Sequence, residues 1–111
     1  NGLFATDDYL YIGMANQIAR VGYEQKEISS FIENSGSVDG LKQLNKEKFI
    51  FSDWQGRVYS ASSDSPVVKL IDTRSVDKNA ADIEYSKHRN MLFVPSFFGN
   101  TVSAYKVSGV P

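Results

Sequence analysis

The fold is decided by the stretch Phe49-Ile50-Phe51-Ser52-Asp53-Trp54-Gln55-Gly56-Arg57-Val58. Residues 49–51 are aromatic and aliphatic, which favours a packed, pleated β-strand. Gly56 stands where a tight hairpin turn needs a positive φ angle, and Val58 lies in the returning strand. The stretch therefore predicts a strand, a hairpin turn and a second strand.

The same order of features occurs three times along the chain. First strands open at Leu3, Leu41 and Ile83. Aromatic-rich second strands cover residues 9–12, 49–52 and 91–94. Third strands centre on Ile18, Val58 and Val102, after turns that contain Asn16, Gly56 and Asn100. Fourth strands are predicted at residues 28–32 and 67–71, and the third unit ends before a fourth strand, so eleven strands are expected.

The spacing of these strands indicates a structural repeat. Leu3 and Leu41 are 38 residues apart, and Leu41 and Ile83 are 42 apart. A period near 40 with four strands per unit is typical of a β-propeller blade. The sequence therefore predicts an all-β chain of three antiparallel blade-like units, at residues 1–36, 37–78 and 79–111. A β-sandwich or meander with accidental regularity is the alternative, because its strands are similarly spaced.

Composition excludes several classes of function. The 111 residues are 41% hydrophobic, and their formal net charge is -1, with no basic stripe that would bind nucleic acid. No apolar run approaches the roughly 20 residues that span a membrane. The absence of cysteine excludes disulfides and thiolate zinc sites. We therefore expect neither a nucleic-acid partner nor a membrane span.

Single residues receive more modest interpretations. Trp54 is predicted to pack against the next unit as part of the core, since a large aromatic ring contributes mainly buried area. His88, the only histidine, is predicted to lie in a solvated turn without catalytic partners. Residues 72–81 are predicted to form a surface connection. Phe97 and Phe98 beside Gly99 either form an exposed contact surface or fold inward.

Several short motifs resemble successive blades of one known family. These motifs are Asn1-Gly2-Leu3, Asp39-Gly40-Leu41, Phe49-Ile50-Phe51-Ser52-Asp53-Trp54-Gln55-Gly56, Ala81-Asp82-Ile83-Glu84-Tyr85 and Leu92-Phe93-Val94-Pro95. They resemble the gluconolactonase and senescence-marker-protein (regucalcin-like) family of six-bladed propellers. The resemblance implies that the chain is about half of such a propeller, with a metal-dependent lactone or ester hydrolase ancestry. Members of this family are often exported by bacteria, which would fit a periplasmic or secreted protein.

Oxygen-bearing side chains precede each first strand, at Asn1, Asp39 and Asp82. Innermost strands of a propeller converge on its axis, so these side chains would face one opening and could offer the hard oxygen ligands that calcium prefers. The resemblance matches Asn1 and Asp39 to the family's metal ligands, and we expect Asp39 also to serve as the general base. Asp82 stands one residue closer to its strand than the other two. The alternative is that Asn1-Gly2 and Asp39-Gly40 are ordinary turns.

Three units leave two sheet faces without a neighbour, because each blade buries both of its faces. We expect these faces to be covered by the remainder of a longer chain or by a second copy in a homodimer. Two classes of function follow. One is a calcium-dependent hydrolase of a small-molecule lactone or ester, complete only in a full ring. The other is a non-catalytic propeller scaffold that binds a ligand or a protein.

Overall fold

The computed structural model describes residues 1–108, and they form three antiparallel sheets. The first sheet contains β1 (Leu3–Ala5), β2 (Tyr9–Gly13), β3 (Gln17–Gly22) and β4 (Ile28–Glu33). The second contains β5 (Leu41–Gln43), β6 (Lys48–Asp53), β7 (Arg57–Ser62) and β8 (Ser65–Asp72). The third contains β9 (Glu84–Ser86), β10 (Met91–Ser96) and β11 (Thr101–Lys106). The all-β class and the eleven strands expected from the sequence are confirmed for this part of the chain.

Strands within each sheet follow chain order, so every sheet is a simple meander. The amino group of Asn1 donates to the carbonyl oxygen of Gly13. In the same way, the backbone N–H groups of Asp39 and Ala81 donate to the carbonyl oxygens of Ser52 and Pro95, so Asn1, Asp39 and Ala81 are equivalent. By this register, residues 10–13 and 92–95 correspond to 49–52, one position later than the sequence comparison indicates. Leu3, Leu41 and Ile83 remain equivalent, as expected.

The sheets pack face to face in chain order through two apolar clusters. The cluster between the first and second sheets contains Tyr11, Ile18, Ile32, Val38, Leu41, Phe49, Phe51 and Ala61. The cluster between the second and third contains Leu44, Ile50, Val58, Ala80, Ile83, Tyr85, Leu92 and Val94. Successive residues of a strand point to opposite faces, so Phe49 and Phe51 meet the first sheet while Ile50 meets the third. The second sheet is therefore buried on both faces.

Neighbouring sheets approach most closely at their first strands, because β1 lies beside β5 and β5 lies beside β9. The last strands, β4 and β8, are mostly exposed. The three sheets therefore converge at their first strands. Within residues 1–108, no helix is long and apolar enough to cross a bilayer.

Some local expectations were wrong. Trp54 contacts Phe97 and Phe98 of the next unit, as expected, but it is 45% exposed and does not belong to either core cluster. The connection 72–81 forms an exposed 3-10 turn at Arg74–Val76. It is not wholly on the surface, because Asn79 and Ala80 are buried. Asn16 lacks the positive φ that Gly56 and Asn100 have.

Other local expectations were confirmed. His88 lies in the exposed turn between β9 and β10. Phe97 and Phe98 are exposed, at 72% and 70%, which resolves the alternative left open by the sequence.

Candidate functional site

The candidate site begins with two glycines that let the first strands approach one another. A Cβ atom at Gly2 would collide with the backbone oxygen of Asp39. A Cβ atom at Gly40 would lie 2.5 Å from the backbone nitrogen of Ile83. Real Cβ atoms do not pack this closely, so only glycine fits at either position. The residues before these glycines, Asn1 and Asp39, are thereby brought to the same end of the molecule.

Asn1 and Asp39 are in direct contact. Nδ2 of Asn1 donates to Oδ1 of Asp39 at 2.9 Å, and Oδ1 of Asn1 accepts from the backbone N–H of Gly2 at 3.0 Å. The backbone N–H of Asp39 donates to the carbonyl of Ser52 at 2.7 Å. The structure thus joins the two residues that the sequence singled out in the first and second units.

Asp82 lies near this pair but in a different register. It follows Ala81, which occupies the position equivalent to Asn1 and Asp39, so Asp82 stands where the other units have glycine. Its side chain is exposed, whereas Asp39 is half-buried. Burial raises the pKa of Asp39, the negative charge of Asp82 raises it further, and the amino group of residue 1 opposes both effects. Asp82 therefore contributes charge to the site.

Ser52 is a residue of this region that sequence reasoning missed. It is fully buried, and its Oγ donates to the carbonyl of Ala81 at 2.7 Å while accepting from the N–H of Gly40 at 3.0 Å. The hydroxyl therefore links the segment before β5, which contains Asp39, to the segment before β9, which contains Asp82. Its only signal in the sequence is a serine that ends an otherwise apolar strand. We assign Ser52 a positioning role.

An exposed aromatic cluster lies at the same end of the molecule. Its rings are carried by the turns that follow β6 and β10, and residues near the ends of these strands bond to Asp39 and Ala81. The ring centroids of Trp54 are 6.1 Å from Phe97 and 5.8 Å from Phe98. Trp54 stays exposed although its sheet has a neighbour on both sides. We call Trp54, Phe97 and Phe98 the aromatic rim.

A sizeable cleft lies elsewhere, at the end formed by the turns between first and second strands. It encloses about 640 Å³, and neither Asn1, Asp39 nor Asp82 lines it. Arg20 is stacked there 4.1 Å from the ring centre of Tyr9 and 4.9 Å from that of Phe31. Its guanidinium covers the edge of the aromatic core, so we interpret the arrangement as packing. Cleft size alone therefore does not identify the candidate site.

The predicted metal ligands are two carboxylates, Asp39 and Asp82, and one amide, Asn1. Within residues 1–108, no three Asp, Glu, His or Cys side chains lie close enough together to hold a metal ion. No protein-family model matches the chain, and no curated protein matches it significantly. The metal ligands and the regucalcin-like family assignment therefore stay predictions.

The raised pKa of Asp39 predicts a specific pH dependence. Its carboxyl binds a proton more tightly in the folded than in the unfolded chain, so the free energy of unfolding falls as pH rises from 3.8 through the raised pKa. Asp39→Asn removes that loss while keeping an oxygen that can accept from Asn1. The variant should be more stable than the wild type above this window and should lose its advantage below it.

This prediction is checked by urea unfolding at several pH values with chelator present. Asp7→Asn, a change in an exposed turn, controls for the loss of one negative charge. A stability difference for Asp39→Asn that stays constant with pH would contradict the assignment of the effect to the Asp39 carboxyl.

Proposed function

We propose that this chain forms three consecutive blades of a β-propeller and, in a complete ring, hydrolyses a lactone or related ester at a divalent cation, of which calcium is the best match. The observation that carries the proposal is the contact between Asn1 and Asp39, 2.9 Å apart at the converging first strands. Two equivalent positions in neighbouring units thus present oxygen-bearing side chains at one opening. This is the arrangement expected of an axial site in a propeller.

The donor set fits a hard cation in part. Asn1 and Asp39 supply an amide and a carboxylate, which suit calcium, but Nδ2 rather than Oδ1 of Asn1 faces Asp39. The Asn1 amide must therefore turn over before both side chains can direct oxygen toward one ion. Calcium takes 6–8 oxygen ligands. The remaining ligands must then come from outside these three units and from water.

A bound divalent cation would supply Lewis-acid chemistry, polarising a carbonyl and lowering the pKa of a bound water. Asp39 is the residue we assign as general base. Asn1 donates to Oδ1 of Asp39 until its amide turns over, whereas Oδ2 of Asp39 accepts no hydrogen bond from residues 1–108. Burial and the charge of Asp82 raise the pKa of this carboxyl, which makes the carboxylate a stronger proton acceptor. Ser52 would hold in place the segment before β5 that carries this carboxylate.

The aromatic rim favours a second candidate function, a non-catalytic scaffold that binds a ligand or protein. Trp54 is 45% exposed beside Phe97 and Phe98, although neighbouring sheets cover both faces of its own sheet. Aromatic residues with exposed rings are common anchors of binding surfaces. In this scheme Asn1 and Asp39 would only organise the ends of the first strands.

Calcium-dependent thermal stabilisation separates the two functions. A ligand that binds only the folded chain stabilises it by mass action, by about 1.4 kcal/mol at ten times its Kd. We expect calcium to raise the Tm of the wild type and of Asp7→Asn relative to chelator, and to leave Asp39→Asn unchanged. We also expect the calcium-loaded chain, once assembled into a complete ring, to hydrolyse a δ-lactone in a pH-stat assay, with the rate lowered about 10²–10⁴-fold in Asp39→Asn.

The Tm and lactone measurements distinguish the hydrolase from the scaffold. An equal Tm for the wild type in calcium and in chelator would overturn the hydrolase and favour the scaffold. Equal calcium stabilisation of Asp39→Asn and the wild type would place the cation elsewhere. Calcium binding without lactone hydrolysis would assign the ion a structural role.

A further inference from the structure

The outer face of the first sheet exposes an apolar residue whose equivalents in the other two sheets are buried. Leu3 is 65% exposed, whereas its equivalents Leu41 and Ile83 are 1% and 2% exposed. Leu41 packs in the cluster against the first sheet, and Ile83 packs in the cluster against the second. This position therefore faces the preceding sheet, and only the first sheet lacks one. Leu10 and Ile12 are half-buried beside Leu3, and we call these three residues the leading face.

The outer face of the third sheet shows the complementary pattern. Val102 is 68% exposed, whereas its equivalents Ile18 and Val58 are both 0% exposed. Ile18 packs in the cluster toward the second sheet and Val58 in the cluster toward the third. This position therefore faces the following sheet. Phe93, equivalent to the buried Ile50, is half-buried nearby, and we call Val102 and Phe93 the trailing face.

The leading and trailing faces are the two halves of an interface that the chain builds twice within itself. In each internal interface, a trailing face that contains Ile18 or Val58 covers a leading face that contains Leu41 or Ile83. Exposed apolar positions with a known internal counterpart mark an association surface more specifically than scattered exposed residues do. The surface that fits the leading face is therefore the chain's own trailing face.

We infer that a second copy of this chain covers both faces, with the leading face of each copy packed on the trailing face of the other. The inference rests on the proposed propeller arrangement. Two copies of a three-blade chain make six blades, which lies within the 4–8 blades that propellers typically have. A two-copy ring is also closed, which leaves neither face exposed.

This assembly would complete the candidate site. A two-fold axis through the ring brings the partner's own equivalents of Asn1 and Asp39 to the same opening, so the number of protein oxygen ligands doubles. Calcium requires more ligands than one chain provides. The second copy would therefore be part of the metal site as well as a cover for two apolar faces.

The test is the solution mass, measured by light scattering after size exclusion in chelator across a wide range of protein concentration. We expect twice the chain mass of 12.4 kDa. Leu3→Asp and Val102→Asp should each give the single-chain mass, because each places a charge in both interfaces of the ring. Val76→Asp, which alters a 61% exposed apolar residue on the connection, should keep the doubled mass.

Both disruptive substitutions change residues that are exposed in the single chain, and thermal unfolding of each variant checks that it still folds. A single-chain mass for the wild type, or a mass above two chains, would overturn the inference. So would a doubled mass for Leu3→Asp, or loss of the doubled mass in Val76→Asp. Because chelator is present, the mass reports assembly alone, and a dimer without calcium stabilisation would refute the hydrolase while leaving the assembly intact.

Discussion

Replacing Phe49 by alanine is expected to lower the free energy of unfolding by about 3–5 kcal/mol, the largest effect of any change considered for this chain. Phe49 is fully buried at the centre of the cluster between the first and second sheets. Its ring centroid lies 4.5 Å from that of Tyr11, 5.6 Å from Phe31 and 6.1 Å from Phe4. Alanine would remove these contacts and leave a cavity that rigid neighbouring strands cannot fill.

Urea unfolding, followed by circular dichroism, measures the loss. Phe97→Ala removes the same atoms from a ring that is 72% exposed, so it should cost less than about 1 kcal/mol. Since small domains have only about 5–15 kcal/mol of total stability, Phe49→Ala is expected to remove about a fifth of it or more. Equal losses for the two substitutions would show that the sheets do not pack through Phe49.

Gly40→Ala is expected to cost about 2–3 kcal/mol, because an added methyl group forces apart the first strands of the second and third sheets. The new Cβ would lie 2.5 Å from the backbone nitrogen of Ile83 and 3.0 Å from Oγ of Ser52. The first of these is main chain and cannot rotate away. The hydrogen bond from Gly40 N–H to Ser52 Oγ would be disturbed as well.

Gly36→Ala is the matched control for Gly40→Ala. A Cβ at Gly36 meets nothing within 4 Å, but the residue has a φ of +71°, so alanine there should cost only the left-handed backbone strain of about 1–2 kcal/mol. Gly40 has no such positive φ, and its cost is steric. If Gly40→Ala left the free energy of unfolding in urea unchanged, the close approach of Gly40 to Ile83, just before β9, would be refuted.

The repeat was predictable because strand identity is a local property. Phe49–Phe51 are strand formers whichever sheet they join, and Gly56 permits its turn without help from distant residues. Three such units at a spacing near 40 residues were therefore enough to predict eleven strands and their grouping. Asn1 and Asp39 could be predicted as neighbours for a related reason, since they occupy equivalent positions in consecutive units.

The exposure of Trp54 could not be predicted from its neighbours in the sequence. Its size favours burial, but its position at a turn tip places it beside Phe97 and Phe98 of the next unit rather than between sheets. Ser52 is a second example, because its bridging hydroxyl follows from the register of backbone hydrogen bonds, whereas the one-residue offset of Asp82 was visible in the sequence. A sequence does not display register directly, and a shift of one residue reverses the direction of a side chain.

The sequence by itself determined the all-β class, the repeat and the residue types at the start of each first strand, because these depend on neighbours within a few positions. Only the tertiary structure decided which side chains meet. It placed Asp39 against Asn1, raised the pKa of Asp39 through burial and the charge of Asp82, and left Leu3 and Val102 exposed while burying their equivalents. The physical reason is that contacts, burial and electrostatic coupling depend on how the sheets pack, and that packing joins residues distant in the chain.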